Sequence, residues 1–363
     1  MTTINTHSIS RRGVLRLAGI AGAGVLAMPS VLTGRAGASG TLTIRTLGGA
    51  YEEAARKVYF EPFTAETGIT IQTVPANFSK LIAMHRSGNA EIDVIDIGET
   101  GVVQLRDEGA IEKIAYDGWD TTDASKLDKK AVSEFGVGHT YFATVLGYNS
   151  NAIAPEKAPG SWADFWNTEA FPGPRMLADI ASGELNLEQA LIADGVPVAE
   201  LYPLDIPRAL EAVARIRSSI RKFWDTGALS AQLLVDQEVV MGSIWNTRLQ
   251  AAADAGAPLN IVWDGAMQQM QCWAISKGSK NIEGAQRFVE FAMAPERQAA
   301  LAMLIPNGPT NSAAYRHITA ERAKILPSNP EFASKLFLQN AQWWVENRAA
   351  ASDAWTKWLL VNR

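Results

Sequence analysis

Directly after residue 40 the chain spells a strand, a glycine turn and a helix in that order. Leu42 and Ile44 alternate with polar neighbours in Thr41-Leu42-Thr43-Ile44-Arg45, Gly48-Gly49 follows, and a helical run extends from Tyr51 towards Phe60. The unit recurs. Ile69 and Ile71 alternate in a second strand, Leu81 to Arg86 reads as helix, and Ile92-Asp93-Val94-Ile95-Asp96-Ile97 is an apolar run closed by Gly98. Strands and helices alternating at this length predict a mostly parallel sheet with helices on both faces. Such sheets bind ligands beyond the carboxyl ends of their strands, where helix-start N–H groups point outward. That geometry puts Gly48, Gly49, Gly98, Glu99 and Thr100 on the expected ligand side.

A second α/β set follows. Pro159-Gly160-Ser161-Trp162 reads as a helix cap, Arg175 to Ala178 and Val239 to Trp245 as strands, and Pro203 and Pro207 are expected to delay the next helix to Ala209–Arg217. Leu259 to Trp263 reads as a strand, and Gln271 to Ile275 as a further extended segment. Ile282, Ala285, Phe288, Val289 and Ala292 form an amphipathic stripe at i, i+3 and i+4 spacing. Trp343, Trp344, Trp355 and Trp358 lie on a similar tail stripe, where packing is the expected role.

The first 38 residues differ from the rest. Ser10-Arg11-Arg12 leads into an apolar segment from Gly13 to Val31 and then to Ala36-Gly37-Ala38. Basic region, apolar region and small-residue cleavage site are the parts of an export signal, and the paired arginine resembles the twin-arginine type. Residues 1–38 are therefore expected to be cleaved near Ala38 and the chain to work in the periplasm; Gly19, Gly22, Gly24 and Pro29 make a membrane span a poorer reading.

What remains holds enough chain for two cores. Its formal charge of −5 becomes −9 when Arg11, Arg12, Arg16 and Arg35 leave with the signal. Such a balance disfavours nucleic acid and mildly suits a cationic ligand. One cysteine, Cys272, allows no internal disulfide, and the four histidines show no metal-ligand spacing. No nucleophile elbow, phosphate loop, His-Glu-x-x-His or Cys-x-x-Cys occurs after residue 38. No enzyme, metal or cofactor is expected; isolated polar groups and aromatics at strand ends read instead as a ligand clamp between two domains.

The run Thr46-Leu47-Gly48-Gly49-Ala50-Tyr51-Glu52-Glu53-Ala54 resembles the start of extracellular solute-binding proteins of the spermidine/putrescine type. So do Ser161-Trp162-Ala163-Asp164-Phe165-Trp166, Met241-Gly242-Ser243-Ile244-Trp245-Asn246, Asn307-Gly308-Pro309-Thr310-Asn311 and Trp343-Trp344-Val345-Glu346-Asn347. The resemblance implies a type II periplasmic binding protein, two α/β lobes with a hinge and a ligand cleft between them, delivering a small solute to an ABC importer. Its partners would be an amine-bearing ligand and a permease in the inner membrane, and a monomer is expected. The lobe boundaries expected are 39–145 with 276–340, and 146–275, the helix of 341–363 packing across both. Leu146-Gly147-Tyr148 and Cys272-Trp273-Ala274 are the expected crossovers.

Residue by residue, the resemblance carries Trp245 as the aromatic that holds an amine chain and Tyr51 as an aromatic of the first lobe. It puts Gln271 where polyamine binders keep an aspartate and Gln269 where they keep a tryptophan. Asp179 is present, but the two amine-binding acids fall near Ile180 and Gly183. Losing charged partners argues against a long dication. Arg248 either binds a ligand carboxylate or is a surface residue. With Glu99 and Asp264 as candidate ammonium partners, the expected ligand set is Gly48, Gly49, Tyr51, Glu99, Asp179, Trp245, Arg248, Asp264, Gln271 and Asn307. The expected solute is polyamine-like or ω-amino-acid-like. The alternatives are thiamine, a phosphonate or an opine, and an exported enzyme using cleft carboxylates.

Overall fold

The computed structural model describes residues 40–331 and 333–362; residues 1–38, expected to be an export signal, lie outside them. Its strands are β1 (Thr41–Arg45), β2 (Thr70–Val74), β3 (Val94–Gly98), β4 (Ile111–Glu112), β5 (Val137–Asn149), β6 (Arg175–Ala178), β7 (Ile220–Trp224), β8 (Met241–Trp245), β9 (Leu259–Ser276), β10 (Gly308–Pro309) and β11 (Phe337–Leu338). They join in the order β2-β1-β3-β9-β5-β8-β6-β7, with β4 and β11 on β9 and β10 on β5. β1 is parallel to β2 and β3, and β6 is parallel to β7 and β8. Between these two parallel sets runs the long antiparallel pair β5 and β9.

Alternate residues of each strand enter opposite cores, as the pleat requires. In the first half, Ile44, Val94 and Trp273 join Tyr59, Phe63 and Phe288 on one face, while Ile95 and Cys272 join Leu81, Leu105 and Tyr141 on the other. In the second half, Leu177 packs with Trp162, Leu191, Trp344 and Trp355, and Met176 and Ala178 pack with Trp224, Leu234 and Ile244. Each half is thus a sheet covered on both faces, which makes the chain a two-lobed α/β protein.

Pairing decides where one half passes into the other. Residues 271–275 of β9 pair with β3, and residues 144–148 of β5 pair with β8. Leu146–Tyr148 and Cys272–Ala274, expected as crossovers, lie on β5 and β9, the two strands that run between the parallel sets, where the first pairs with β8 and the second with β3. β9 is one strand where two segments were expected, because a register shift between Val262 and Met267 absorbs the irregular Trp263–Ala266 stretch. The helix expected from Ala209 starts at Ile206, capped by Asp205; Pro207 sits in its first turn, where no N–H is needed.

Candidate functional site

The helices that begin after β1 at Gly49, after β3 at Glu99 and after β8 at Asn246 have no side-chain cap, and neither do those that begin at Glu61, Leu187 and Pro295. Elsewhere Asn77, Ser161, Asp205, Thr226, Asn281, Thr319 and Asn340 cap their helices with a side chain. The uncapped starts leave N–H groups and the positive helix end for another acceptor. Gly48 and Gly49 have φ of 74° and 61°, a left-handed turn that admits glycine, and an added Cβ at either would meet open space within 4 Å.

Behind this turn lies a buried polar knot. The Tyr51 hydroxyl donates to Asp96 Oδ2 at 2.6 Å, and His139 Nε2 is 3.3 Å from both Tyr51 Oη and Asp96 Oδ1. The His139 ring stacks on Trp273 with centroids 4.3 Å apart, and Arg45 donates to the Asp96 and Ala76 carbonyls. Burial first, and the Asp96 carboxylate second, hold the Tyr51 phenol well above the ordinary tyrosine range, so it stays a neutral donor. Its hydroxyl is spent on Asp96, and its ring is half-buried.

Across the crossing strands sits an acid that the sequence reading did not select. Glu184 is only 3% exposed and receives the Thr144 hydroxyl on both oxygens, at 2.9 and 3.0 Å. Burial pushes its carboxyl up to about 7, against the Thr144 bond, which favours the anion; Trp245 and Gln269 act in the same direction as Thr144, and Glu188 against it. Trp245 Nε1 nevertheless makes no bond of normal geometry, and Gln269 Oε1 and Asn307 Oδ1 are buried without a protein partner. Buried polar atoms are ordinarily bonded, so unpartnered groups such as Trp245 Nε1 and Gln269 Oε1 in the surroundings of Glu184 mark it as a candidate site. Glu184 lies one residue past the position where an acid was expected, beyond Gly183, whose φ of 100° turns the chain; an acid following a glycine and preceding the apolar Leu185 was the available signal.

The remaining expected residues separate. Trp245 is half-buried, meeting the Trp224 ring edge-on at 5.3 Å, with its ring and the Arg248 stem resting over Gly227. Arg248 is exposed in the first turn of its helix. Asn307 follows Pro306, whose carbonyl accepts from Asn246 Nδ2 at 2.7 Å, while Asn246 Oδ1 accepts from Ala143 N. Gln271 is buried beside Gly98, its pairing partner on β3. Asp179 is committed to structure: it caps a short helical turn at Ala181 and accepts from Trp355 Nε1 at 3.1 Å. Asp264 is exposed in the irregular stretch of β9, beside the Gly265 carbonyl that Trp162 bonds. Glu99, pushed up to about 7 by burial, lines a cavity of about 480 Å³ with Val102, Phe135, Leu338 and Gln339. Gln339 accepts from Gln269 at 3.3 Å, which ties this cavity to the surroundings of Glu184. Among the described residues no group of three or more His, Cys, Asp or Glu could hold a metal ion.

Residues 58–332 match the model of a bacterial extracellular solute-binding protein family. The chain is 31% identical over 327 residues to the gamma-aminobutyric acid-binding protein of Pseudomonas aeruginosa, covering 88% of this chain and 91% of that one. It is 27% identical to the spermidine/putrescine-binding periplasmic protein of Escherichia coli over 80% of this chain and 84% of the relative. The crystal structure of an ABC transporter substrate-binding protein from Bradyrhizobium japonicum superposes with a TM-score of 0.81 at 34% identity, covering 88% of this chain and 99% of the other.

Proposed function

Because the chain belongs to the bacterial extracellular solute-binding protein family, we propose that its cargo is a small ω-amino acid whose ammonium rests on Glu184. As a substrate-binding component of an ABC importer it holds the solute between its lobes and passes it to a permease. The observation that carries the choice of cargo is Glu184: a buried carboxyl with Thr144 on one side and Trp245 and Gln269 on the other. Burying such a group is costly unless a cation or donors compensate it, and an ammonium supplies both. Trp245 adds cation–π contact of about 0.5–2 kcal/mol, and the Tyr51 ring forms the facing wall. The ligand carboxylate goes to the uncapped helix start at Asn246, beside Arg248.

A diamine is the second reading, and Glu99 favours it, because this second part-buried carboxyl lines the cavity joined to the same surroundings through Gln339. Calorimetry with 4-aminobutyrate and putrescine separates the two. Glu184→Gln should abolish binding of either, and undiminished binding would remove the acid from the site. Glu99→Gln should spare 4-aminobutyrate; if it weakens putrescine alone and putrescine is the tighter ligand in the unaltered protein, the diamine reading prevails. A thermal shift without turnover distinguishes a binder from an enzyme.

The protein is read as a monomer with lobes meeting along β5 and β9. Its first 38 residues are read as a twin-arginine signal. Periplasmic protein should then begin at or near Ser39, and Arg11→Lys with Arg12→Lys should stop export; normal export of that variant would point to the general secretory route.

A further inference from the structure

The helix Ala341–Val361 is the longest α-helix among the described residues, and three of its N–H donors grip one short segment. Trp344 Nε1 donates to Glu188 Oε1 at 2.7 Å, Arg348 Nη2 to the Gly183 carbonyl, and Trp355 Nε1 to Asp179 Oδ2 at 3.1 Å. Positions 344, 348 and 355 share a helix face, and their partners bracket Glu184 on both sides. Gly183, whose carbonyl Arg348 takes, is the left-handed residue that turns the chain into Glu184. At its start the same helix meets the helix Glu99–Asp107, where Gln342 Oε1 accepts from Arg106 at 2.8 Å.

From this placement we infer that Arg348 is a positioning residue for the ligand's ammonium site, holding the Gly183–Glu184 turn in place from the C-terminal helix. The inference rests on the assignment of Glu184 to the ammonium. The groups facing Glu184 are Thr144 from β5, Trp245 from β8, Gln269 from β9, Glu188 from the helix that follows it and Arg348 from the C-terminal helix. Of these Glu188 is an acid that burial holds above the usual carboxylate range, and Arg348 is the cation. Glu188 Oε1 accepts from Tyr202 and Trp344 at 2.7 Å each, while its Oε2 is buried without a protein partner; Arg348 is bonded to the turn itself through the Gly183 carbonyl. Arg348 is itself desolvated, and Glu184 is the carboxylate that offsets this.

The test compares Arg348→Met, Arg348→Lys and Glu184→Gln by calorimetry with 4-aminobutyrate and with putrescine across pH 5 to 9, alongside melting temperatures. Arg348→Met should weaken binding of the amine that the unaltered protein binds by about tenfold, the worth of a charge-assisted bond, and should move the midpoint of affinity against pH upward. Arg348→Lys, which keeps the charge, should bring the midpoint back. A loss in Arg348→Met that is equal at every pH and accompanied by early melting would reduce Arg348 to a structural bond and overturn the inference. So would unchanged affinity and midpoint. If Arg348→Met does not fold, an unshifted midpoint together with full affinity in Arg348→Gln has the same force. Glu184→Gln keeps the two claims apart: binding that survives it sinks the ammonium assignment, whereas binding lost there and indifferent to Arg348 sinks only the brace.

Discussion

Glu184 shows how one side chain sets a pH dependence of opposite sign in the free and the bound protein. Its carboxyl sits at about 7 in the fold against an ordinary 4.5, so between these values the folded state binds more protons than the unfolded state. Stability must then fall as pH rises from about 4.5 to 7. Glu184→Gln removes that contribution, and the melting temperature of the ligand-free variant should gain on the parent across this window and stay level with it below. Parallel curves would mean that Glu184 is ionised like a surface acid. An ammonium ligand reverses the slope, since it needs the anion: affinity should drop as pH falls below about 7, with a proton released on binding near neutrality. Trp245 belongs to the same scale. Trp245→Ala should cost more than about 1 kcal/mol in binding, with a small loss of stability because the side chain is only half-buried.

At the scale of elements, the helix starts and the C-terminal helix divide the labour. Starts with a side-chain cap are closed, whereas those after β1, β3 and β8 are left open, because Gly48, Gly98 and Trp245 stand where a Ser, Thr, Asp or Asn would supply a cap. The tail tryptophans are the counterpart. Trp355 is 2% exposed, meets the Phe223 ring edge-on at 4.9 Å and bonds Asp179. Trp355→Ala should therefore lower unfolding free energy by about 3–5 kcal/mol, measured by denaturant titration. Early melting after Trp245→Ala combined with a tolerated Trp355→Ala would exchange the two roles. The tryptophan stripe was legible from helical spacing alone. Asp179 was visible as an acid, but not that its carboxylate turns to the tail helix, because that contact joins residues 176 positions apart.

For the whole molecule, two parallel sets joined through β5 and β9 make a hinge of two strands, together with the chain that links the lobes outside the sheet. Lobes that meet through so few covalent connections can rotate without breaking either core. Saturating ligand should reduce the radius of gyration in solution scattering; an unchanged profile would leave the lobes rigid. The βα alternation predicted the two parallel sets from Thr41 onward, since local periodicity is a property of neighbouring residues, but not that the sheet is parallel only at its flanks and antiparallel through its centre, where β5 and β9 pair with each other and with β3 and β8. Strand register was not legible in the sequence, because it depends on partners far away: Thr144 meets Trp245, and Gly98 meets Gln271.

Sequence alone determined what is local or additive: the βα units, the glycine turn at Gly48-Gly49, the packing stripes and the family blocks that carry Trp245 and Tyr51. Tertiary structure alone decided which polar groups are withdrawn from water. Asp179 and Glu184 are five residues apart and chemically alike, yet one is bonded to a packing tryptophan and the other is buried at a strand crossing with its charge disfavoured. The difference is desolvation, which depends on every element brought around a carboxylate and on nothing in its own dipeptide.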